Sequence, residues 1–280
     1  LSLLRKQSPK VVQTVEAEKA AGRVRVDVVS MSIPYMGPLW KNKGFFEPYK
    51  PVQFDKVDKR FKDPDGHWIS RVAFLLLGAY NTNAIKDPGT LPKSLNDYLD
   101  PKWKGKLLSA NPATAGSSRT FFGGLIQTGL GSWDYLEKLA KQDVMFVRSN
   151  GSAARMIVAG ERPLAVAISS HNIVVAMSKG QPIKWFAHKD GVMPNQSPMG
   201  IVKGSEHPSA AKLLVEWQFT DEGQSQMAKW GKQWSVMKHI KPPKGMPNLF
   251  DFKIVNPDLS FLIKEQKQFM IKFNKTFGRN

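Results

Sequence analysis

No cysteine occurs in the 280 residues, which excludes disulfides, thiolate nucleophiles and cysteine-held zinc or iron–sulfur centres. Long apolar runs are also missing. Stretches such as Val72-Ala73-Phe74-Leu75-Leu76-Leu77 fall far short of the roughly 18 residues that span a bilayer. The patterns G-x-S-x-G, H-E-x-x-H, GK[ST] and G-x-G-x-x-G are absent, so the common hydrolase, metalloprotease, phosphate-loop and dinucleotide chemistries lack their signatures. The five histidines, His67, His171, His188, His207 and His239, show no close ligand spacing, and no metal site and no cofactor are expected. Acidic residues are scarce beside basic ones: 23 Asp plus Glu against 41 Lys plus Arg leave a net charge of +18. That excess favours polyanions, anionic surfaces or small anionic ligands, and charge alone does not choose among them.

What is there reads as a folded chain. Hydrophobic residues make up 41% and charged residues 23%, the usual globular mixture, and the length suits two domains or one large one. Residues 2–21 have helical apolar spacing and end at Gly22. Arg23 to Val29 alternates like a strand and is followed by Ser30-Met31-Ser32. Pro34 to Lys43 and Leu91 to Leu99 are expected as helices, and Arg71 to Tyr80 and Gly105 to Ala110 as buried strands. Strands expected at 144–147, 164–168 and 183–186 alternate with helices near 132–141, 152–159 and 171–178, which predicts a mainly parallel α/β sheet. Helices at 207–219, the first turn holding Pro208 after Ser205, and 221–230 follow. Leu259, Leu262, Ile263, Phe269, Met270 and Phe273 mark a terminal amphipathic helix. Trp217, Trp230 and Trp234 are expected in a core or interface rather than as base-stacking platforms. The ten Lys/Arg against three Asp/Glu from Lys232 onward are scattered, as on a solvated face, and no nucleic-acid partner is expected.

Two loops carry the chemistry. Thr114-Ala115-Gly116-Ser117-Ser118 runs from a strand into a helix, where unsatisfied N–H groups, a positive helix terminus and hydroxyls suit a carboxylate, phosphate or phosphonate. Ser149-Asn150-Gly151-Ser152 precedes another helix in the same way. Ordinary capping accounts for the same residue types at both places. His171, after Ile168-Ser169-Ser170 at a predicted strand end, is the histidine best placed for a ligand.

Several segments, in order, resemble one family. Val26-Asp27-Val28-Val29 is similar to its "ADVV" strand, Phe61 to Trp68 to its "kDpdGyW" turn, and Tyr80-Asn81-Thr82-Asn83 to its "YNT" crossing strand. Leu95 to Lys106, Ala159-Gly160-Glu161 and Gly204 to Leu214 continue the series. The family is the type 2 periplasmic solute-binding proteins of ABC importers, which includes ferric-iron, phosphonate, sugar-phosphate and polyamine binders. The resemblance implies a two-lobed periplasmic-binding-protein-like α/β fold with a hinge between lobes, residues 1–80 and 195–280 forming one lobe and 81–194 the other. It implies a monomeric, non-enzymatic substrate-binding component, in the periplasm or lipid-anchored on the extracellular face. That component captures a small anionic solute by lobe closure and delivers it to an ABC importer permease. The residues implied to face the ligand are Ser30, Ser32, Thr114, Gly116, Ser117, Ser118, Asn150, Ser152, Ser169, Ser170, His171, Asn172 and Gln196, with Asn195 beside the last at the return crossing. Ferric members carry adjacent tyrosines where this chain reads Ser170-His171-Asn172, so phenolate coordination of iron is not expected. A ferric-iron or metal–anion complex with His171 as one ligand is the alternative. An enzyme using Ser118 or His171 has no base–nucleophile–orienter set behind it. The family's opening strand and helix have no counterpart before residue 2. With Leu1 first and no signal region, the chain is expected to be processed or a fragment whose longer parent binds better.

Overall fold

In the computed structural model, residues 2–258 and 260–278 are described. From the N-terminus come α1 (Ser8–Ala20), β1 (Val28–Ser30), α2 (Met36–Asn42), β2 (Phe46–Glu47) and β3 (Ile69–Asn81). Next follow β4 (Leu107–Ala110), α3 (Gly116–Thr128), α4 (Trp133–Ala140), β5 (Met145–Val147), α5 (Asn150–Ala159), β6 (Leu164–Ser169), α6 (Ser170–Ser178) and β7 (Ile183–Phe186). The chain ends with β8 (Met193–Val202), α7 (Pro208–Gln218), α8 (Asp221–Lys229) and α9 (Ser260–Thr276). No helix of the described residues is long and apolar enough to cross a membrane.

These elements group into two units, Leu1–Ala73 with Asn195–Leu249, and Phe74–Pro194 with Phe250–Asn280. The strands β3 and β8 each pass from one unit into the other. In the first unit β8 receives β1 and β2 as antiparallel neighbours, with Val29 opposite Gly200 and Phe46 opposite Val202. Trp40, fully buried, stacks on Phe45 with ring centroids 4.9 Å apart and donates from Nε1 to Glu16. In the second unit β4 lies between β5 and β6, parallel to both, while β3 pairs antiparallel with β6 and with β7. The expectation of a mainly parallel sheet therefore fails outside the β5-β4-β6 trio. That trio is joined by helical crossovers, which parallel pairing requires, whereas β3 and β8 run as long connectors and pair antiparallel.

Four further differences concern single elements or residues. The helix expected over 91–99 shrinks to a single 3-10 turn at Asn96–Leu99, because the Asp97 carboxylate accepts the amides of Lys93 and Ser94 and curls the chain before it. Ser205 does not cap α7; its hydroxyl donates to Asp27 instead. Trp234 is buried with its Nε1 on the Pro247 carbonyl, but Trp217 and Trp230 are 41% and 70% exposed. The sequence-based division places 195–280 in the first lobe, whereas residues from Phe250 on group with the second unit. There α9 sets Phe273 against Phe122 and Phe146, ring centroids 5.1 and 5.5 Å away, with Phe269 beside it. Leu259 and the side chain of Leu262 lie outside the described residues.

Candidate functional site

The parallel trio sets the stage in the second unit. Strands β4 and β6 are in register at Leu107 opposite Leu164 and Leu108 opposite Ala165, so their carboxyl ends lie side by side. Helix α3 follows β4 after a five-residue loop and α6 starts directly on β6, which brings both amino termini to one end of the sheet. Neither helix has a side-chain cap: the residues at those positions are Ala115 and Ser169, and neither side chain accepts from the first turn. Helix α5 differs, because the Ser149 hydroxyl accepts from Ser152 N at 3.1 Å and caps it.

Asn150, the first residue of α5, ties the three helices together. Its Nδ2 donates to Ser117 Oγ at 2.8 Å and its Oδ1 accepts from Ser169 N at 3.1 Å. Asn172 lies against Gly151, where a Cβ would be in ordinary contact with its Oδ1 at 3.4 Å. The first turns of α3, α5 and α6 therefore meet around Ser117, Asn150 and Asn172. His171 joins them, with Nε2 3.0 Å from Asn172 Nδ2 and its ring edge-on to Phe74 at 5.2 Å.

Four other hydroxyls predicted for this site, those of Thr114, Ser118, Ser152 and Ser170, are committed to the fold. Ser118 donates to the Ala110 carbonyl at 2.5 Å, Thr114 to the Arg148 carbonyl at 2.7 Å, and Ser170 accepts the Leu75 amide at 3.1 Å. Ser152 shares a 3.0 Å contact with the Ser149 hydroxyl and receives Arg155 Nη2. Gly116 opens α3 with a backbone N–H and no side chain to obstruct it.

Arg119 is the residue that sequence reasoning missed. Only 6% exposed, it donates from Nε and Nη2 to the carbonyls of Pro112 and Ala113, and no carboxylate among the described residues pairs with it. An arginine at the end of a helix's first turn opposes the helix dipole, and that conflict was the available signal. The loop that enters α3 thus has a buried guanidinium beneath it. Three helix amino termini, each equivalent to about half a positive charge, add to it. The cluster can donate hydrogen bonds to an anion from backbone N–H groups and small polar side chains.

The first-unit residues form a separate set. Ser30 ends β1 opposite Met199, Ser32 meets the Ser197 hydroxyl at 3.0 Å and gives its amide to Ser8 Oγ, and Gln196 accepts from Ser70 Oγ at 2.6 Å. Asn195 is fully buried, and both of its amide atoms lack a hydrogen-bond partner among the described residues.

Two features bear on metal chemistry. Asp63, Asp65 and His67 could converge on a cation, but the Lys41 ammonium lies 2.7 Å from Asp63 and 2.6 Å from Asp65. Those hydrogen bonds, Asp63's foremost, raise the Lys41 pKa and keep it the cluster's counter-ion. Four of the five tyrosines are held protonated in the empty protein. Burial pushes Tyr49 up to about 12 and raises Tyr80, Tyr98 and Tyr135, and Tyr98 and Tyr135 donate to backbone carbonyls.

Comparison with known proteins gives these findings a context. Residues 26–255 match the family described as bacterial extracellular solute-binding protein. An uncharacterized protein of Haemophilus influenzae is 27% identical over 241 residues, 82% of this chain and 69% of that protein. The Fe(3+)-binding periplasmic protein of Serratia marcescens is 24% identical over 189 residues, 65% of this chain and 55% of its own length. Among solved structures, the periplasmic binding protein AfuA of Actinobacillus pleuropneumoniae with fructose-6-phosphate bound superposes with a TM-score of 0.84 at 22% identity, covering 99% of this chain and 90% of that one. Iron-bound HitA of Pseudomonas aeruginosa gives 0.80 at 20% identity, with 97% and 88% covered.

Proposed function

Because the chain belongs to the bacterial extracellular solute-binding proteins, the type 2 substrate-binding components of ABC importers, we propose that its ligand is a small organic anion, a phosphate ester, phosphonate or carboxylate. The family carries with it a small-molecule ligand, an ABC permease as partner and a periplasmic or extracellular location. The observation that supports the anion is the meeting of three helix amino termini around Asn150, two of them without side-chain caps, above a buried Arg119 that has no carboxylate partner among the described residues. Such a cluster lowers the energy of a negative group and offers it oriented N–H donors that cost little to reorganise. In this reading Gly116, Ser117, Asn150, His171 and Asn172 face the anion, while Thr114, Ser118, Ser152, Ser169 and Ser170 hold the frame. Ser30, Ser32 and Gln196 are the first unit's ligand-facing residues, and the monomer hands its ligand to the permease without chemical change. The fructose-6-phosphate held by AfuA is a ligand of the class proposed.

A ferric–anion complex is the second reading, favoured by the likeness to the Serratia and Pseudomonas iron proteins. The lack of a tyrosine in Ser170-His171-Asn172 and the occupation of Asp63 and Asp65 by Lys41 speak against it. A thermal-shift screen of chelator-washed protein separates the two. Sugar phosphates, phosphonates and carboxylates are tested without metal, and ferric citrate beside citrate. An organic anion at about 100 times its Kd stabilises by roughly 2.7 kcal/mol. Stabilisation by ferric citrate alone would overturn the proposal.

A further inference from the structure

A second concave feature lies within the second unit, away from the helix amino termini. It is a shallow groove of about 490 Å³ between the ends of β3 and β7 and the loops at 88–93 and 187–189. Its volume falls within the roughly 300–1,000 Å³ of small-molecule sites. The walls are aromatic: Tyr80 and Phe186 stand 6.3 Å apart with rings inclined at 59°, and half-buried Trp185 is braced edge-on by Phe252. Phe186 is fixed in place because its ring lies over Gly78, where a Cβ would come within 2.4 Å of it. Leu91, buried, completes the apolar lining.

The polar groups are of one kind. Tyr80 is only 5% exposed, its hydroxyl makes no hydrogen bond among the described residues, and burial raises its pKa, which keeps it a donor. Lys93 and Lys189 line the groove and make no ion pair within 4.0 Å among the described residues, although Lys189 is near enough to Asp97 to help lower its pKa. The nearby carboxylates of Asp97 and Asp190 are engaged by the backbone amides of Lys93, Ser94 and Leu95. His188 is held neutral by burial and bonded to Tyr98, so it adds no charge. Aromatic walls with two ammonium groups and a phenol donor match one ligand chemistry, a flat ring bearing a carboxylate.

We propose that this groove is a second binding site, for an aromatic carboxylate, independent of the anion cluster around Asn150. The probe is 2-naphthoate, titrated calorimetrically into the full chain, with 2-naphthalenemethanol as the uncharged control. One saturable site is expected, with the neutral control binding about tenfold weaker or less tightly still. The double variant Lys93→Ala/Lys189→Ala loses about tenfold in affinity and Tyr80→Phe about threefold to tenfold. Both lysines are exposed, so the double variant keeps the parent's melting temperature. Asn150→Asp leaves naphthoate binding unchanged. Absence of saturable heat up to about 5 mM, equal binding of the neutral control, indifference to the lysine pair, or loss in Asn150→Asp would each overturn the proposal.

Discussion

Replacing Asn150 by Asp tests the anion site with almost no change of shape. The aspartate retains the oxygen that accepts from Ser169 N, 3.1 Å away in the parent, and Ser117 turns its hydroxyl from acceptor to donor across the 2.8 Å contact. The new charge sits at the first position of α5, where a carboxylate gains about 0.3–1 kcal/mol from the helix dipole. Folding stability should therefore hold within about 1 kcal/mol or rise slightly. A bound anion meets the opposite effect. Two unit charges about 5 Å apart at an effective dielectric near 20 repel by roughly 3 kcal/mol, which is a loss of about a hundredfold in affinity. The assay pairs thermal unfolding of the empty protein with calorimetric titration of the anion that stabilises the parent most. Asn150→Ala is the companion: it removes the bridge without adding charge, leaves Ser169 N without its acceptor, and should cost about 1–3 kcal/mol of stability. If Asn150→Asp folds normally and binds its anion within threefold of the parent, the convergence of α3, α5 and α6 is not the anion site.

Three further outcomes follow from the geometry. Arg119→Met removes a buried cation that has no carboxylate partner among the described residues, so anion affinity should fall about tenfold by calorimetry while the melting temperature moves little, two lost carbonyl contacts being offset by relief of a buried charge. His188, lowered to about 4 by burial, is neutral in the fold and charged in the unfolded chain between that value and about 6.5. The unfolded state binds the extra proton, so stability is complete above about pH 6.5 and declines by up to roughly 3 kcal/mol as pH falls to 4. His188→Phe should flatten that slope in melting curves taken from pH 7 to 4.5, above the range where Asp58, near 2, contributes. Phe273→Ala empties a fully buried position among Phe122, Phe146 and Phe269 and should destabilise by about 3–5 kcal/mol in denaturant unfolding. A loss below about 1 kcal/mol would mean that α9 is not part of the second unit's core.

How far the fold could be read from the residues depended on whether the deciding contacts were local. The apolar run through Val72 and Leu77 announces β3, and the sequence from Leu107 through Thr128 shows strand, turn and helix by pattern alone. The ten residues of β8 do not, because Pro194, Pro198 and Gly200 are poor strand formers and the pairing that makes them a strand comes from β1 and β2, more than 150 positions earlier. The amphipathic stripe of α9 is visible in sequence, but the partners it chooses, Phe122 and Phe146, are not. The exposed Trp217 and Trp230 show the converse, since size and apolarity alone do not assign a side chain to a core.

The candidate site exposes the same boundary at the scale of single hydroxyls. In sequence, Ser117 and Ser118 are interchangeable members of a polar loop, and capping and ligand contact compete for both. In the fold they point to different partners: Ser118 closes on the Ala110 carbonyl behind it, while Ser117 reaches Asn150 on the neighbouring helix. One residue of helical rotation, about 100°, makes that difference. The same competition is divided among the three helices rather than won outright. Ser149 caps α5, which frees the next side chain, Asn150, to span Ser117 and Ser169, while α3 and α6 keep their first-turn N–H groups without side-chain acceptors. Capping of one helix is thus what positions the bridge that gathers the other two. In the proposed reading, an anion supplied from outside completes at α3 and α6 the hydrogen bonding that Ser149 satisfies for α5.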